Sequence, residues 1–368
     1  MGDYLKLFEK HSEYETYSGG EMLKPNVSYC RQENEVHYNP WTWADTYLTF
    51  VAKESGTFTF TPQSSNTINY STDNGENWTV GNSVTVDSGD KVLWKGTMTP
   101  SGSGIGNFSS TANFGVQGNV MSLLFGDDFK GKVDLTGKNY AFYRLFYNNA
   151  KVVSAENLSL PATTLAGNCY NGMFRGCTSL VTAPELSATT LVYSCYNSMF
   201  QGCTELATAP ELPATGLADS CYMSMFQGCT KLATAPELPA RWLGGEGNYV
   251  NMFRDCTSLT TAPSILPATS LVSGCYYAMF YGCTKLTTAP VLPATTLADQ
   301  CYGEMFSGCT SLNYIKAMFT TTPSSTYTSD WVNGVASSGT FVKNSAATWN
   351  VTGTNGVPSG WTVETASA

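Results

Sequence analysis

The sequence predicts an α+β chain: an extended N-terminal arm, a small β-sandwich, and a solenoid of about seven coils, each a short strand plus a short helix, closed by a C-terminal cap. Three observations carry this. A unit of about 26 residues recurs, with one cysteine column at Cys177, Cys203, Cys229, Cys256, Cys283 and Cys309. Each unit spaces apolar residues at i, i+1, i+4 and i+5, the stripe of a short helix. Ahead of the repeats, apolar and polar residues alternate with the period of strands. The expected boundaries are 1–45 for the arm, 46–118 for the sandwich, 119–312 for the solenoid and 313–368 for the cap.

The arm stands apart in composition. Eleven of the first 40 residues are charged, against 36 of the remaining 328, and both histidines, His11 and His37, lie there. Tyr4, Phe8, Tyr14, Tyr17, Tyr29, Tyr38, Trp41 and Trp43 make it rich in aromatics. Periodicity is poor, and one short helix is expected near Tyr4–Lys10. A solvated tail is the alternative. Such tails are poor in aromatics, so these eight residues are the candidate anchor of an arm that orders on a partner.

The next stretch reads as strands. Tyr47–Val51 and Thr57–Thr61 alternate β-branched and aromatic residues with polar ones. Further short runs at Ile68–Tyr70, Trp78–Val80, Ser83–Val86 and Lys91–Trp94 are separated by Gly, Asn, Asp and Pro. Short strands at this spacing suggest a small sandwich.

Within a repeat, Cys169, Tyr170, Met173 and Phe174 form the apolar stripe, and Gly176 stands where a helix would end in a left-handed residue. Gly202, Gly228, Gly282 and Gly308 hold the same place, with Asp255 the exception. Leu180 to Pro184 then reads as a strand with Leu180 inward and Thr182 outward, cut short because proline has no N–H. One such unit cannot bury its apolar side, and stacked units can. A divergent copy around Phe146 and a tail containing Trp331, Trp349 and Trp361 fit the ends of such a stack.

Twelve cysteines invite a disulfide reading. If Cys169 and Cys177 flank a helix they stand about 12 Å apart, too far for a bridge. Asn248 replaces the fourth-unit member of the column Cys169, Cys195, Cys221, Cys275, Cys301, which leaves Cys256 without an obvious mate. The expectation is buried free thiols acting as small apolar residues. No histidine lies near the ladder, and the spacing is not that of zinc sites. Neither a metal nor a cofactor is expected.

Composition restricts the partners. A net charge of −9 and a pI near 4.8 argue against nucleic acid. Only 13% of residues are charged, about half the usual share, so the surface is largely uncharged and polar. No apolar run approaches the roughly 20 residues of a membrane span. No secretory signal is visible at Met1–Lys10. Either a leader has been removed or the protein leaves the cell by another route.

The motif CYxxMFxGCTSLxTAPELPATTL, as at Cys221 to Leu243 with local departures, resembles the BspA-like leucine-rich repeat family. The likeness covers about 140–330, and Gly339–Val342 with Pro358–Trp361 resembles that family's end cap. Segments Leu48–Glu54 and Asn119–Leu124 resemble the β-domain that often precedes such repeats. The resemblance implies a protein of gut Bacteroidales surfaces or of their phages, with binding or adhesion rather than catalysis and no catalytic residues to carry over. The fourth unit, at Arg241–Gly247, departs from the consensus, so its coil is expected to bulge.

Candidate chemistry is sparse. Ser71-Thr72-Asp73-Asn74-Gly75-Glu76-Asn77-Trp78 matches S-x-D-x-G-x-x-W, an Asp-box-like pattern of sialidases and other β proteins, read here as a turn in which Asp73 accepts backbone N–H groups. Asp127–Asp128 reads as a solvated pair, and Glu185, Glu211 and Glu237 as an exposed partial ladder. Neither histidine has a nucleophile placed beside it by a motif. The candidate binding surface is uncharged for the most part: Thr182, Thr208, Thr234, Thr261 and Thr288 on the strand face, the variable column Arg175, Gln201, Gln227, Arg254 and Tyr281, and Trp242. Drift on an exposed face explains that variation equally well.

The resulting expectation is a non-enzymatic virion protein of head or tail fibre or decoration type. Its arm would dock on other virion proteins, and its repeats would meet a host-surface glycan or protein. A secreted bacterial adhesin of the same family is the alternative, with extracellular or cell-surface location, and a carbohydrate-active enzyme is a distant third. No nucleic acid and no membrane insertion are expected, and a homo-oligomer such as a fibre-like trimer is compatible with the pattern.

Overall fold

The computed structural model describes residues 43–366, and before them the backbone of four short strands, Glu15–Thr16, Met22–Leu23, Tyr29–Gln32 and Glu35–Tyr38. The first pairs antiparallel with the second, and the third with the fourth. The helix expected at Tyr4–Lys10 lies outside the described residues.

Alternation in Leu48–Ala52 and Gly56–Pro62 drives Leu48, Phe50 and Ala52 of one strand, and Phe58 and Phe60 of the other, into the interior. Two sheets result. One holds six strands in the spatial order Val152–Ser159, Phe114–Asn119, Leu48–Ala52, Lys91–Lys95, Asn69–Ser71, Thr79–Val80; the other holds Gly106–Ser110, Gly56–Pro62 and Ser83–Val86. Phe50 meets Phe58 at 5.4 Å and Phe108 at 4.7 Å across the gap between them, the edge-to-face contacts that aromatic quadrupoles favour. Val152–Ser159 runs parallel to Phe114–Asn119. Beyond it the Ser154–Thr182 bridge leads into the repeats.

The repeats overturn the expected α+β solenoid of strand plus helix. Among the described residues the one α-helix is Ser122–Phe125, ahead of the repeats. The arc expected to be helical is a chain of β-turns. In the first full unit Asn168, Gly172 and Gly176 have φ of 58°, 60° and 76°. A left-handed residue at every fourth position cannot belong to a right-handed helix. The stripe at i, i+1, i+4 and i+5 is real, but a chain of turns of this period produces it too. Gly176 does take the left-handed conformation, as a turn residue and not as a helix cap.

The backbone N–H groups of this arc divide in alternation. Asn171, Met173, Arg175 and Cys177 donate to the carbonyls three residues back, at 3.0–3.2 Å. Asn168, Tyr170, Gly172, Phe174 and Gly176 donate forward to Tyr193, Cys195, Asn197, Met199 and Gln201 of the next unit, at 2.7–3.0 Å. Every second peptide closes a turn and the others tie unit to unit, so a segment with neither helix nor ladder still satisfies its buried donors. The expected strand also shrinks. Thr208 bridges Thr234 and Thr234 bridges Thr261, one residue at a time. Two residues further on, Pro210 and Pro236 have no N–H to continue the pairing.

Side chains follow the same register. Phe142, Tyr170, Tyr196, Tyr222, Tyr249, Tyr276 and Tyr302 stack at 5.5–6.1 Å, and Phe146, Phe174, Phe200, Phe226, Phe253, Phe280 and Phe306 at 5.2–5.8 Å, each within 19° of parallel. One end of the phenylalanine column continues into the sandwich, where Phe146 stacks on Phe108 at 5.8 Å. Trp331 closes the other end against Tyr302 and Phe306, its indole N–H donating to Gly356 O at 2.9 Å. A parallel sheet of Tyr314–Ala317, Thr340–Lys343 and Thr362–Thr365 follows.

The turn chain carries its own test. Gly228 has φ 73°, and a Cβ there would have 3.8 Å of clearance, so Gly228→Ala should cost about 1–2 kcal/mol, the left-handed penalty alone. A Cβ on Gly176 would displace the Asn148 side chain and stand a tight 3.3 Å from Asn148 Cα, so Gly176→Ala should cost somewhat more. Urea denaturation of both variants checks the order.

Candidate functional site

After the threonine bridge each unit runs outward and inward in alternation. Glu211, Pro213 and Thr215 face solvent while Leu212, Ala214 and Leu217 are buried; Glu237, Pro239 and Arg241 face solvent while Leu238, Ala240 and Leu243 are buried. Between these two neighbouring runs lies an open groove of about 480 Å³, walled by Thr208, Glu211 and Pro213 on one side and Thr234, Glu237 and Pro239 on the other. Glu237 is fixed by Ser264, whose N–H and hydroxyl both donate to its carboxylate, at 3.1 and 3.0 Å.

Trp242 follows three residues past Pro239. It is 68% exposed, against 0–7% for the buried tryptophans Trp94, Trp331, Trp349 and Trp361. Gly216–Leu217 and Trp242–Leu243 pair in parallel, with Gly216 directly opposite Trp242. A Cβ at Gly216 would stand 3.3 Å from Trp242 Cε3, and one at Gly244 would stand 2.6 Å from Cη2. The indole therefore rests on bare backbone at both glycines. The same column holds Thr190, Ser270 and Thr296 in other units. The bulge expected at Arg241–Gly247 is thus a seat for one ring.

The remaining candidate residues divide between two surfaces. Thr208, Thr234, Thr261 and Thr288 are exposed, and Thr182 is half-buried with its hydroxyl 2.8 Å from Ser154 Oγ. This hydroxyl column runs on through Tyr314, Thr340 and Thr362, an extension that alignment of the repeats alone did not show. The second column is half-buried and paired along its own length. Gln201 donates to Gln227 at 2.8 Å, Arg254 lies 4.0 Å over the Tyr281 ring, and Arg175 lies 5.9 Å from the Tyr147 ring. Gln201 and Gln227 do not line the groove.

Of the anchor set, Tyr4, Phe8, Tyr14, Tyr17 and Trp41 lie outside the described residues. Tyr29 and Tyr38 are register partners in a hairpin, with side chains outside the description. Trp43 is half-buried and lines a cleft of about 440 Å³ with Glu156, Leu158, Pro161, Glu185 and Ser187.

The Asp-box segment closes the hairpin between Asn69–Ser71 and Thr79–Val80. Asp73 accepts from Ser71 Oγ at 2.6 Å and from the Asn77 N–H at 3.0 Å, which holds its carboxyl down at about 2. Asp127 is not merely solvated: the Tyr47 hydroxyl and Lys95 Nζ both donate to it at 2.7 Å. Burial first, then this carboxylate, pushes the Tyr47 phenol up to about 12.

Eleven cysteines, Cys169 through Cys309, are buried free thiols. The helix-based reason for expecting this does not apply, because no helix separates the columns. Instead the thiols of Cys177, Cys203, Cys229, Cys256, Cys283 and Cys309 each donate to a phenylalanine carbonyl of the preceding unit, at 3.0–3.2 Å. Desolvation pushes Cys195, Cys229, Cys301 and Cys309 up to about 12 and raises the other buried thiols as well. Asn248, in a cysteine column, donates to Ala218 O at 2.7 Å, while its own Oδ1 is buried without a partner.

No protein-family model, curated protein or solved structure matches the chain.

The thiols set a pH dependence. An unfolded thiol ionises near 9, and the native ones retain their protons well above that. Above pH 9 the unfolded chain therefore sheds protons that the native chain keeps, and stability falls by about 1.4 kcal/mol per pH unit for each such group. The buried tyrosines Tyr170 to Tyr302, raised by the same desolvation, add to the loss from pH 10. Urea midpoints should be level between about pH 6 and 8 and drop steeply above 9. A thiol reagent should label these cysteines only after unfolding.

Proposed function

We propose that the chain is a non-enzymatic attachment protein of a phage particle, seated on other virion proteins through its N-terminal arm and presenting the repeat stack to a host surface. One observation carries the reading: the stack buries its thiols and turns hydroxyls, carboxylates and one indole outward. The repeat cysteines are protonated and buried, so no thiolate nucleophile is offered at neutral pH. Outward stand a column of hydroxyls, a groove with two carboxylates, and Trp242. The likeness of the repeat motif to BspA-like sequences supports the assignment to phages or surfaces of gut Bacteroidales. The Asp-box supplies a turn and no acid–base pair.

The anchor is tested by deletion. Ala44 O accepts from Asn119 Nδ2 at 2.7 Å, and Asn119 N–H donates to Thr46 O at 2.8 Å, so the cut must fall before Trp43. A chain lacking residues 1–42 should fold with unchanged thermal stability yet be missing from purified particles. Particles that still carry the shortened chain refute the anchor. Recovery of the full chain from the bacterial envelope, and not from particles, assigns it instead to a secreted cell-surface adhesin.

A further inference from the structure

We propose that Trp242 is the stacking platform of a carbohydrate subsite, and that the groove whose lining ends at Pro239, three residues before it, binds the rest of a neutral oligosaccharide. The proposal deepens the attachment reading by naming the ligand class and the place. The departures from the repeat pattern gather around this one ring. The small-residue column holds Trp242 in the fourth unit, and the residue opposite is Gly216 where other units carry a hydroxyl. Gly244 removes the other side chain that would meet the indole, and a Cβ on Gly245 would collide with Asp219 Oδ1. The fourth unit spans 27 residues where the two before it span 26. The ring thus sits against glycine backbone on two neighbouring strands while Trp242 stays 68% exposed to solvent.

That geometry suits a sugar. The C–H-bearing face of a pyranose carries partial positive charge and little hydration, and it meets the negative face of an indole favourably. Burying the two faces also removes apolar area from water. The hydroxyls around the sugar rim then need acceptors and donors. Glu211 and Glu237 supply carboxylates, Thr208 and Thr234 supply hydroxyls, and Arg241 lies beside the ring in sequence. A carboxylate accepts strongly from a neutral hydroxyl. Two of them in one groove, on a chain of net charge −9, outweigh the single Arg241 and disfavour sialylated or sulfated glycans, so the ligand proposed is a neutral sugar chain. Pro213 and Pro239 narrow the groove with rigid apolar edges that add contact without flexible side chains to order.

The full chain should be titrated with cello-, malto- and manno-oligosaccharides, following tryptophan emission and heat of binding. At least one series should bind and perturb the emission. Trp242→Ala should weaken it by about tenfold or more with unchanged thermal stability, since the ring is exposed. Gly216→Thr, which restores the hydroxyl residue of other units, should displace the indole and weaken binding too. Glu237→Gln should reduce affinity while leaving the emission change in place. Binding of no neutral series, or equal affinity in Trp242→Ala, overturns the proposal. So does a proline-rich peptide binding at Trp242 in place of any sugar. If Trp242→Ala abolishes sugar binding but particles carrying it attach normally, the subsite stands and the attachment reading fails.

Discussion

Each arc of the repeat depends on where its backbone N–H groups point. A chain in which every fourth residue is left-handed forms neither helix nor sheet, and would ordinarily leave buried donors unpaired at a cost of about 1–3 kcal/mol each. Here consecutive donors alternate between the turn and the next unit, as in Asn171 to Asn168 O and Tyr170 to Cys195 O. Both the stacked rings and the thiol contacts follow from that alternation. It fixes the offset between units, and a fixed offset puts tyrosine over tyrosine and each cysteine of the Cys177 to Cys309 column within reach of a phenylalanine carbonyl.

The arrangement is tolerant at some places and strict at others. Left-handed positions accept Gly176 and Gly228, but also Ser224, Ala278 and Glu304, so the turn chain absorbs local strain because many other bonds hold it. The ring columns have little such latitude. A missing ring would leave a cavity in a stack that has no other layer to collapse inward, and truncating a buried phenylalanine typically costs about 3–5 kcal/mol. The ends are sealed by different chemistry. On one side Phe108 and Phe50 of the sandwich extend the phenylalanine column; on the other Trp331, Trp349 and Trp361 bury rings whose N–H groups all find carbonyls.

The interior of such a frame does not depend on which residues it turns outward. Side chains at Glu211, Pro213, Glu237, Pro239 and Trp242 touch solvent from a backbone whose bonds are made elsewhere. Gly216 and Gly244, where a Cβ would crowd the Trp242 ring, belong to adjacent rungs of one stack.

From the sequence alone came the period, the inward columns and, in every full unit but the fourth, a left-handed glycine two places after the Met-Phe pair, because these depend only on spacing and residue type; the burial of the cysteines follows from the sequence too, but by way of a helix that the structure does not contain. The secondary structure of the unit is not set by that pattern, for apolar spacing at i, i+1, i+4 and i+5 is shared by one helical face and by a chain of turns. A signal that separates them was present: Asn168, Gly172 and Gly176, then Ser194, Ser198 and Gly202, put a small or turn-favouring residue at every fourth place, which a helix interior disfavours. Trp242 was visible as an outlier, but Gly216 lies 26 residues before it, and nothing local marks the two as partners. Only the tertiary structure could decide that pairing, the groove beside it and the self-pairing of Gln201 with Gln227, because each is a contact between units whose register is set by hydrogen bonds that no single unit contains.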